Sequence, residues 1–440
     1  MNDISGISYT AARFDKDGTL LNKQDVTLPA GTTDVIVASH GWNNTEEQAE
    51  QLYTDLFTHF AAVALDQLQN KKIAIVGVIW PSKRFTDVVD AAVAEQARGG
   101  GAGFGTSSTA ADETIEAKLD VIATMFDKKA AKKITVAKNQ IGKLESDLAA
   151  RRKFADELRS LLDKSAAHEE DNSALFFKLD GSVMLEKLKM PTPLVSSAGG
   201  SRGGAASVGT HPKATPAGGA AGLGDIFSGI KAGAIRFVNY LAYYEMKKRA
   251  GTVGQSGVAP MLDRLADNVQ RIHLVGHSFG CRVVTAAAAA STTDKLQSMS
   301  LLQGAFSHNG FSKSMNGFFR SVVDNQRIKG PIVITYTPND RAVGIAYPVA
   351  SRLAGTVASA FGDANDKFGG LGRNGAQKME AGEVVQDVDG LLAVGGIYSW
   401  QPGRFHNLES SKYIVDPSGG DAHGFVTGKE VAWAISRAMA

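Results

Sequence analysis

The chain contains a single cysteine, Cys281, among its 440 residues. One cysteine cannot form an internal disulfide, which excludes the disulfide-stapled class of secreted domains and fits a reducing compartment. The first residues, MNDISGISYTAARFDKDGTL, lack the basic and apolar regions of a secretory signal. No apolar run approaches the roughly 18 residues of a membrane span. We therefore expect a cytoplasmic location, while export by a route that needs no amino-terminal signal stays open.

Charge of one sign is also scarce in this chain. The 47 Lys and Arg residues nearly balance the 45 Asp and Glu residues, and the formal net charge is +2. A protein this close to neutral has no general attraction for nucleic acid, and we predict no nucleic-acid partner. With 43% hydrophobic and 21% charged residues, the composition is that of a globular protein able to bury a large core.

Apolar segments rich in β-branched residues alternate with segments of helical spacing. The predicted strands cover residues 32–44, 71–82, 271–278, 299–307, 330–340 and 407–416. The clearest predicted helices cover residues 45–68, 281–292 and 427–439. This alternation predicts an α/β protein whose mainly parallel central sheet carries helices on both faces. Functional side chains are then expected at the carboxyl ends of the strands.

A long stretch between the second and third strands departs from this rhythm. We predict a core formed by residues 1–85 and 255–440, with a large, mostly helical insertion at 86–195. Apolar residues recur at steps of three and four between Ile134 and Leu162, which predicts one or two long helices with a coiled-coil-like seam. Residues 128–153 are rich in Lys and Arg. They form either a solvated helix face or a contact with an anionic membrane or a protein partner.

The insertion continues into two segments of different composition. Residues 196–224 are rich in Gly, Ala, Ser and Pro, which predicts a flexible linker. Residues 225–254 predict an amphipathic helix, with an apolar face that either packs on the core or forms a lid. That face carries Phe227, Ile230, Ala234, Phe237, Leu241 and Tyr244.

The third predicted strand runs into Gly276-His277-Ser278-Phe279-Gly280 and then directly into a helix. Two glycines around a serine let the chain turn sharply from strand to helix, with the serine side chain at the apex. The amide of Phe279, at the start of the helix, is positioned to stabilise an oxyanion. We therefore predict that Ser278 is a nucleophile, although a G-x-S-x-G segment can also be a structural turn.

A nucleophilic serine needs a base, and the base needs an acid that fixes its tautomer. We predict that His423, in a Gly-rich loop after the last strand, is the base, and that Asp340, at the end of the preceding strand, is the acid. Asp421 and Asp416 are alternative acids. Among the later histidines, His308 comes too early in the chain order, and His406 precedes its strand and is expected at the opposite edge of the sheet.

The oxyanion needs a second amide donor from the loop after an early strand. His40-Gly41-Trp42 occupies that place, and we predict that the Trp42 amide acts beside Phe279. His40 and Gly41, together with His277, are expected to support the site. Trp42 and Trp80 either form walls of an apolar substrate pocket or belong to the core.

These motifs, taken in order, resemble the α/β-hydrolase superfamily over roughly residues 30–85 and 265–440. The segment GPIVITYTPNDRAVGIAYPVASRLAG is also similar to an uncharacterised bacterial branch of that superfamily. The resemblance implies a Ser-His-Asp triad at the carboxyl edge of the sheet and acyl transfer to water. The predicted insertion stands where many relatives carry a cap or lid.

The leading hypothesis is a serine hydrolase that cleaves a carboxylic ester, with lipid or phospholipid esters as one subset. Neither a metal nor an organic cofactor is required for this chemistry. Two alternatives stay open. The same triad could serve a peptidase, thioesterase or acyltransferase. The chain could also be a binding or scaffold protein that uses the helical insertion as its partner surface, in an oligomeric state that the sequence does not indicate.

Overall fold

A computed structural model describes residues 2–24, 26–82, 108–163, 173–189, 229–340, 342–343, 368–385 and 390–440. Within these residues, nine strands form one sheet. In chain order they are β1 (Asn2–Ile4), β2 (Ile7–Arg13), β3 (Asp34–Ser39), β4 (Ile73–Ile79), β5 (Arg271–His277), β6 (Leu296–Leu302), β7 (Ile332–Tyr336), β8 (Val384–Val385) and β9 (Phe405–Glu409).

The order of the strands in the sheet is β1-β2-β4-β3-β5-β6-β7-β9-β8. Only β1 and β2 pair in the antiparallel sense, and the remaining neighbours in this sheet run parallel. The predicted class, α/β with a mainly parallel sheet, is therefore confirmed. The chain steps from β3 to β4 on one side and then crosses to β5 on the other side. The carboxyl ends of β3 and β5 thus flank a topological switch point, where sheets of this kind bind ligands.

The predicted strands are present, with shifted ends. The segment predicted at 299–307 begins earlier, at Leu296, and ends at Leu302, because the chain turns away at Gln303 with a φ of 48°. The last predicted strand, at 407–416, also begins earlier, at Phe405. His406 therefore lies inside β9, near its amino end, and the prediction that it precedes the strand is wrong in that detail.

Helices cover both faces of the sheet and fill the stretch between β4 and β5. In chain order, the described helices and helical turns are α1 (Glu46–Val63), α2 (Leu65–Asn70), α3 (Ser108–Met125), α4 (Ala130–Lys138), a 3-10 turn (Ile141–Lys143), α5 (Leu148–Arg159), α6 (Ser173–Lys178), α7 (Gly181–Leu188), α8 (Gly229–Thr252), a π-helical segment (Val253–Val258), α9 (Ala259–Ala266), α10 (Phe279–Ala290), α11 (Arg320–Asp324), α12 (Leu371–Asn374), a 3-10 turn (Ala422–Gly424) and α13 (Lys429–Ala438).

Hydrophobic side chains alternate between the two faces of the sheet. Along β3, Val35 and Val37 belong to one buried cluster, whereas Ile36 and Ala38 belong to the other. The first cluster includes residues of α8, α9 and α10, and the second includes residues of α1 and α13. Since both faces are covered, every residue of β3 and β4 is buried.

The segment between Ser108 and Arg159 forms three α-helices joined by a 3-10 turn. The prediction of one or two long helices is therefore wrong here. Asp147 caps α5 by accepting hydrogen bonds from the amides of Ala149 and Ala150, which starts a new helix rather than continuing an old one. Leu148, one residue of the predicted seam, is 54% exposed.

The described part of the predicted insertion shares the hydrophobic cluster of one sheet face. That cluster runs from Val76 on β4 through Phe237 on α8 to Ile115, Phe154 and Leu185 on the shorter helices. The predicted linker at 196–224 lies outside the described residues.

Helix α8 is buried around most of its circumference rather than along one stripe. Its charged side chains are accommodated by partners: Lys231 pairs with Asp112 at 2.6 Å, and Arg249 pairs with Glu245 at 3.1 Å. Both faces are thus in contact with protein, and the prediction of a one-sided amphipathic helix is wrong for this segment. Among the described helices, none is both long enough and apolar enough to cross a membrane.

Candidate active site

Ser278 lies at the bend between β5, which ends at His277, and α10, which begins at Phe279. We call this bend, residues 276–280, the elbow. Its φ of 57° and ψ of −122° fall outside the regions that side-chain-bearing residues prefer. A non-glycine residue held there carries backbone strain, and such strain is concentrated at functional sites.

The two glycines of the motif are required by close backbone contacts. A Cβ on Gly276 would lie 2.6 Å from both Cα and N of Cys281. A Cβ on Gly280 would lie 2.6 Å from the carbonyl oxygen of His40 and closer still to that of Ser39. The absent side chain at Gly276 therefore lets the chain fold back on the start of α10, and the absent side chain at Gly280 lets the helix start fit against the end of β3.

Asp340 and His423, the predicted acid and base, are brought together. Nδ1 of His423 lies 2.8 Å from Oδ2 of Asp340, and both side chains are buried. Because an ionised carboxylate only accepts hydrogen bonds, Nδ1 carries the proton and the lone pair is on Nε2. This is the tautomer that a general base acting through Nε2 needs.

The electrostatics of the pair favour proton uptake by His423. Burial disfavours the charged imidazolium, but the negative charge of Asp340 and its hydrogen bond outweigh that cost and raise the pKa of His423. His423 lies in the 3-10 turn Ala422–Gly424, and Asp421 caps this turn by accepting a hydrogen bond from the His423 amide. Asp421, the alternative candidate for the acid, thus holds the backbone of His423.

His277 connects the base to the elbow. Its Nε2 donates a hydrogen bond of 2.9 Å to the carbonyl oxygen of His423, and the two rings are 5.0 Å apart. Burial, followed by the neighbouring imidazole of His423, lowers the pKa of His277 to about 3. His277 is therefore neutral at physiological pH. Since it directly precedes Ser278, its hydrogen bond connects His423 to the bend that carries the serine.

The loop after β3 packs directly on the serine. A Cβ on Gly41 would lie 2.6 Å from Cβ and 3.1 Å from Oγ of Ser278, so this loop approaches the nucleophile as closely as it can. The Trp42 amide, the predicted second oxyanion donor, belongs to the residue that follows Gly41 in this loop.

His40 is held rigidly beneath that loop. Its Nδ1 donates to the carbonyl oxygen of Gly41 at 2.8 Å, and its Nε2 accepts from the Trp80 amide at 3.3 Å. Its own amide donates to the hydroxyl of Tyr53 at 2.7 Å. Burial lowers the pKa of His40 to about 4, so the ring stays neutral and braces the loop.

The side chains of the two candidate oxyanion residues, Trp42 and Phe279, form an aromatic group with Tyr243. Trp42 and Phe279 lie 5.8 Å apart, and Tyr243 of α8 contacts Phe279 at 5.3 Å and Trp42 at 6.3 Å. Trp80, in contrast, is buried and stacks on His40 at 5.6 Å. Of the two tryptophans considered for a pocket wall, only Trp42 lies in this aromatic group.

The other candidates lie in different surroundings. Asp416 accepts hydrogen bonds from the amide and hydroxyl of Ser418. His308 lies six residues beyond the end of β6, with its Nδ1 3.1 Å from the Asn374 amide. His406 accepts a hydrogen bond from the Gln401 amide near the amino end of β9. Each of these three side chains thus forms hydrogen bonds with residues other than Ser278, Asp340 and His423.

One contact of the Asp340 carboxylate was not predicted. The side-chain amide of Gln303, the first residue after β6, lies 3.1 Å from Oδ2 of Asp340. The available signal was its position, because Gln303 is a polar residue at the carboxyl end of the strand between β5 and β7.

Comparisons with protein-family models, curated proteins and solved structures give no match to this chain. Among the described residues, no group of three or more His, Cys, Asp or Glu side chains is arranged to hold a metal ion. The described residues provide a strained serine, a buried carboxylate–imidazole pair, and a hydrogen bond from His277, the residue before the serine, to that pair. These groups are of the kind that nucleophilic catalysis uses.

Proposed function

We propose that the protein is a serine hydrolase of the α/β-hydrolase type that cleaves a carboxylic ester. The observation that carries this proposal is the 2.8 Å hydrogen bond between Asp340 and His423, two residues far apart in the chain, at the sheet edge where Ser278 forms a strained elbow. A structural turn alone needs neither a buried carboxylate–imidazole pair nor a tie from that pair to the elbow.

In the proposed reaction, Ser278 Oγ attacks the ester carbonyl carbon while Nε2 of His423 takes the hydroxyl proton. The amides of Phe279 and Trp42 stabilise the negative charge that develops on the carbonyl oxygen. His423 then returns the proton to the leaving alcohol, and an acyl-serine remains. Water attacks the acyl-serine by the same steps in reverse order, which releases the carboxylic acid and restores Ser278.

The neighbouring rings favour a substrate with an apolar acyl group. Trp42 packs against the buried rings of Phe279 and Tyr243 near Ser278 and is itself only partly buried. An apolar acyl group that leaves water to contact Trp42 gains free energy. Lipid esters therefore fit this proposal, as do smaller apolar esters.

Hydrolysis of a series of p-nitrophenyl esters of increasing acyl length tests the function. We expect turnover by the wild type and loss of turnover in Ser278→Ala and His423→Ala. Ser436→Ala is a matched control, because Ser436 is also buried but lies near the end of α13, where its hydroxyl donates to the Trp433 carbonyl oxygen. Equal turnover by wild type and Ser278→Ala would refute the proposal.

A further inference from the structure

The carboxylate of Asp340 is held by three hydrogen-bond donors. Oδ2 accepts from Nδ1 of His423 at 2.8 Å and from Nε2 of Gln303 at 3.1 Å. Oδ1 accepts from the amide of Val343 at 2.9 Å. Gln303 and His423 therefore share the same carboxylate oxygen.

Gln303 is itself fixed by its surroundings. Its φ of 48° is unusual for a residue with a side chain, and the residue is fully buried. Its Nε2 also donates to the carbonyl oxygen of Gly372 at 3.0 Å. A Cβ on Gly372 would lie 2.6 Å from Cα of Gln303, so α12 packs tightly on this residue.

The orientation of the amide follows from its neighbours. Both nearby groups, Oδ2 of Asp340 and the Gly372 carbonyl, only accept hydrogen bonds, so the NH₂ end of Gln303 must face them. Among the described residues, the opposite end, Oε1, has no hydrogen-bond partner. Both N–H groups of the side-chain amide thus donate hydrogen bonds. The strained backbone of Gln303 fixes the side chain in this position.

We propose that Gln303 is a positioning residue that holds Oδ2 of Asp340 toward His423 and stabilises the ionised carboxylate. The inference rests on the proposed function, because it assigns Gln303 a role in the same triad. Its physical basis is the charge of the Asp340–His423 pair, which is −1 before the pair binds a proton and zero afterwards. A donor to the buried carboxylate therefore stabilises the anionic form of the pair more than the protonated form. Removing the donor should therefore make the pair bind its proton at higher pH, wherever within the pair the proton resides.

Other charged or titratable groups face the pair and stay in place in this test. His277 lies beside the His423 ring, and Asp421 adds a second negative charge near His423. Cys281 lies close enough to Asp340 for their charges to interact, but burial raises the pKa of its thiol and keeps it neutral. Arg373 approaches the Asp340 carbonyl oxygen at 3.4 Å.

The experiment is an NMR titration of the His423 imidazole in the full chain labelled with ¹⁵N-histidine. The resonance is assigned by its loss in His423→Ala. In Gln303→Met, which keeps side-chain length but removes the donor, we expect the apparent pKa of the pair to rise by about one unit. Gln303→Glu is the second variant, because a second carboxyl beside Asp340 also disfavours the anionic pair and should shift the titration in the same direction.

Gln67→Met is the matched control. Gln67 is another buried glutamine whose Nε2 donates to a carboxylate, that of Asp66 at 3.3 Å, but it lies on α2 away from the site. We expect no change in the His423 titration for this variant. A His423 titration that is unchanged in both Gln303 variants, or shifted equally in Gln67→Met, would overturn the inference.

The rate of labelling by a fluorophosphonate separates the two proposals. We expect Gln303→Met to label about ten- to a hundred-fold more slowly than wild type at neutral pH. If the wild type does not label at all, the hydrolase proposal fails, whereas the titration still decides whether Gln303 stabilises the ionised pair. If the wild type labels and the Gln303 variants label equally fast with an unshifted titration, only the role of Gln303 fails.

Discussion

Ser278 is positioned by residues that have no catalytic group of their own. Gly276 lets the chain turn tightly onto Cys281, Gly280 lets the start of α10 approach the end of β3, and Gly41 lets the loop after β3 approach the serine. The strained φ of Ser278 persists because these contacts on both sides leave the backbone no room to relax.

Replacing Gly280 with alanine should show how strictly the elbow depends on these contacts. The new methyl group would meet the carbonyl oxygens of Ser39 and His40, which belong to backbone that cannot move freely. We expect Gly280→Ala to lower the free energy of unfolding by about 3 kcal/mol and to abolish esterase turnover. Urea unfolding measures the first effect.

Gly424→Ala serves as the matched control for that variant. Gly424 lies in the same 3-10 turn as His423, but a Cβ there would have no atom within 4 Å. We expect its stability to stay within about 0.5 kcal/mol of wild type. Equal destabilisation by both substitutions would show that the close approach at Gly280 is not the cause.

The raised pKa of His423 sets the expected pH dependence of the proposed ester hydrolysis. The base works only when neutral, so the rate falls as the pH decreases through the pKa of the free enzyme. Because Asp340 raises that pKa, the acidic limb of kcat/KM should be centred above pH 6.5, the ordinary value for histidine. A pH profile of ester hydrolysis measures the limb, and a midpoint below pH 6 would contradict this assignment.

At the scale of elements, β3 and β5 are also linked at the edge opposite the site. Asp34 is buried at the start of β3 and accepts hydrogen bonds from Arg271 at 2.8 Å and His273 at 3.1 Å, both on β5. Burial alone would raise the pKa of Asp34, but these hydrogen bonds outweigh it and hold the pKa below its usual range.

Loss of this link should destabilise the sheet in a way that depends on pH. A carboxyl whose pKa is lowered by folding adds stability that is complete above its unfolded pKa of about 3.9 and is lost as the pH falls toward the folded value. We expect Asp34→Asn to reduce the free energy of unfolding by about 2 kcal/mol at pH 7, since Arg271 is partly solvated. The difference should shrink below about pH 4.

Urea unfolding at pH 7, 5 and 3 checks this expectation. Asp3→Asn is a suitable control, because Asp3 is an exposed residue of β1 whose carboxylate, among the described residues, accepts a hydrogen bond only from the nearby Gly6 amide. A difference between wild type and Asp34→Asn that stayed constant down to pH 3 would contradict the role assigned to the ionised carboxylate.

The sequence allowed the central strands to be predicted, because buried parallel strands are continuous apolar runs. It also marked Asp340 and His423, which the structure joins by a hydrogen bond. β1 and β2 were not predicted, although Ser5-Gly6 between them is a hairpin signal and both residues have positive φ. The helices between Ser108 and Arg159 were merged because apolar spacing does not reveal where a cap such as Asp147 starts a new helix.

The sequence marked three of the candidate site residues and did not mark Gln303. Ser278, Asp340 and His423 have motifs or strand ends to mark them. Gln303 has neither, and its contact with Asp340 depends on a backbone turn that places β6 and α12 together. Such a contact follows from tertiary packing, and residue spacing along one chain does not contain it.

At the scale of the whole molecule, the helices between β4 and β5 share one buried cluster with the sheet. Phe237 of α8 lies in the middle of it, fully buried, with Phe154 at 6.1 Å and Phe176 at 5.3 Å. A continuous core favours unfolding of the sheet and these helices as one unit.

Phe237→Ala should therefore destabilise both parts together, by about 3–5 kcal/mol. Native-state hydrogen exchange measured on peptides from α8 and from β5 should show both losing protection by the same amount. Phe318→Ala is the control, because Phe318 is 45% exposed and its truncation leaves no buried cavity. Faster exchange in α8 with unchanged exchange in β5 would mean that the helices unfold separately.

The measurement that tests the catalytic role of Ser278 most directly is mass-spectrometric mapping of a fluorophosphonate adduct on the purified protein. We predict one adduct, on the peptide that contains Ser278, which is absent in Ser278→Ala and strongly reduced in His423→Ala and Asp340→Asn. A folded wild-type protein that forms no adduct, or that forms the same adduct in Ser278→Ala, would contradict the proposed mechanism.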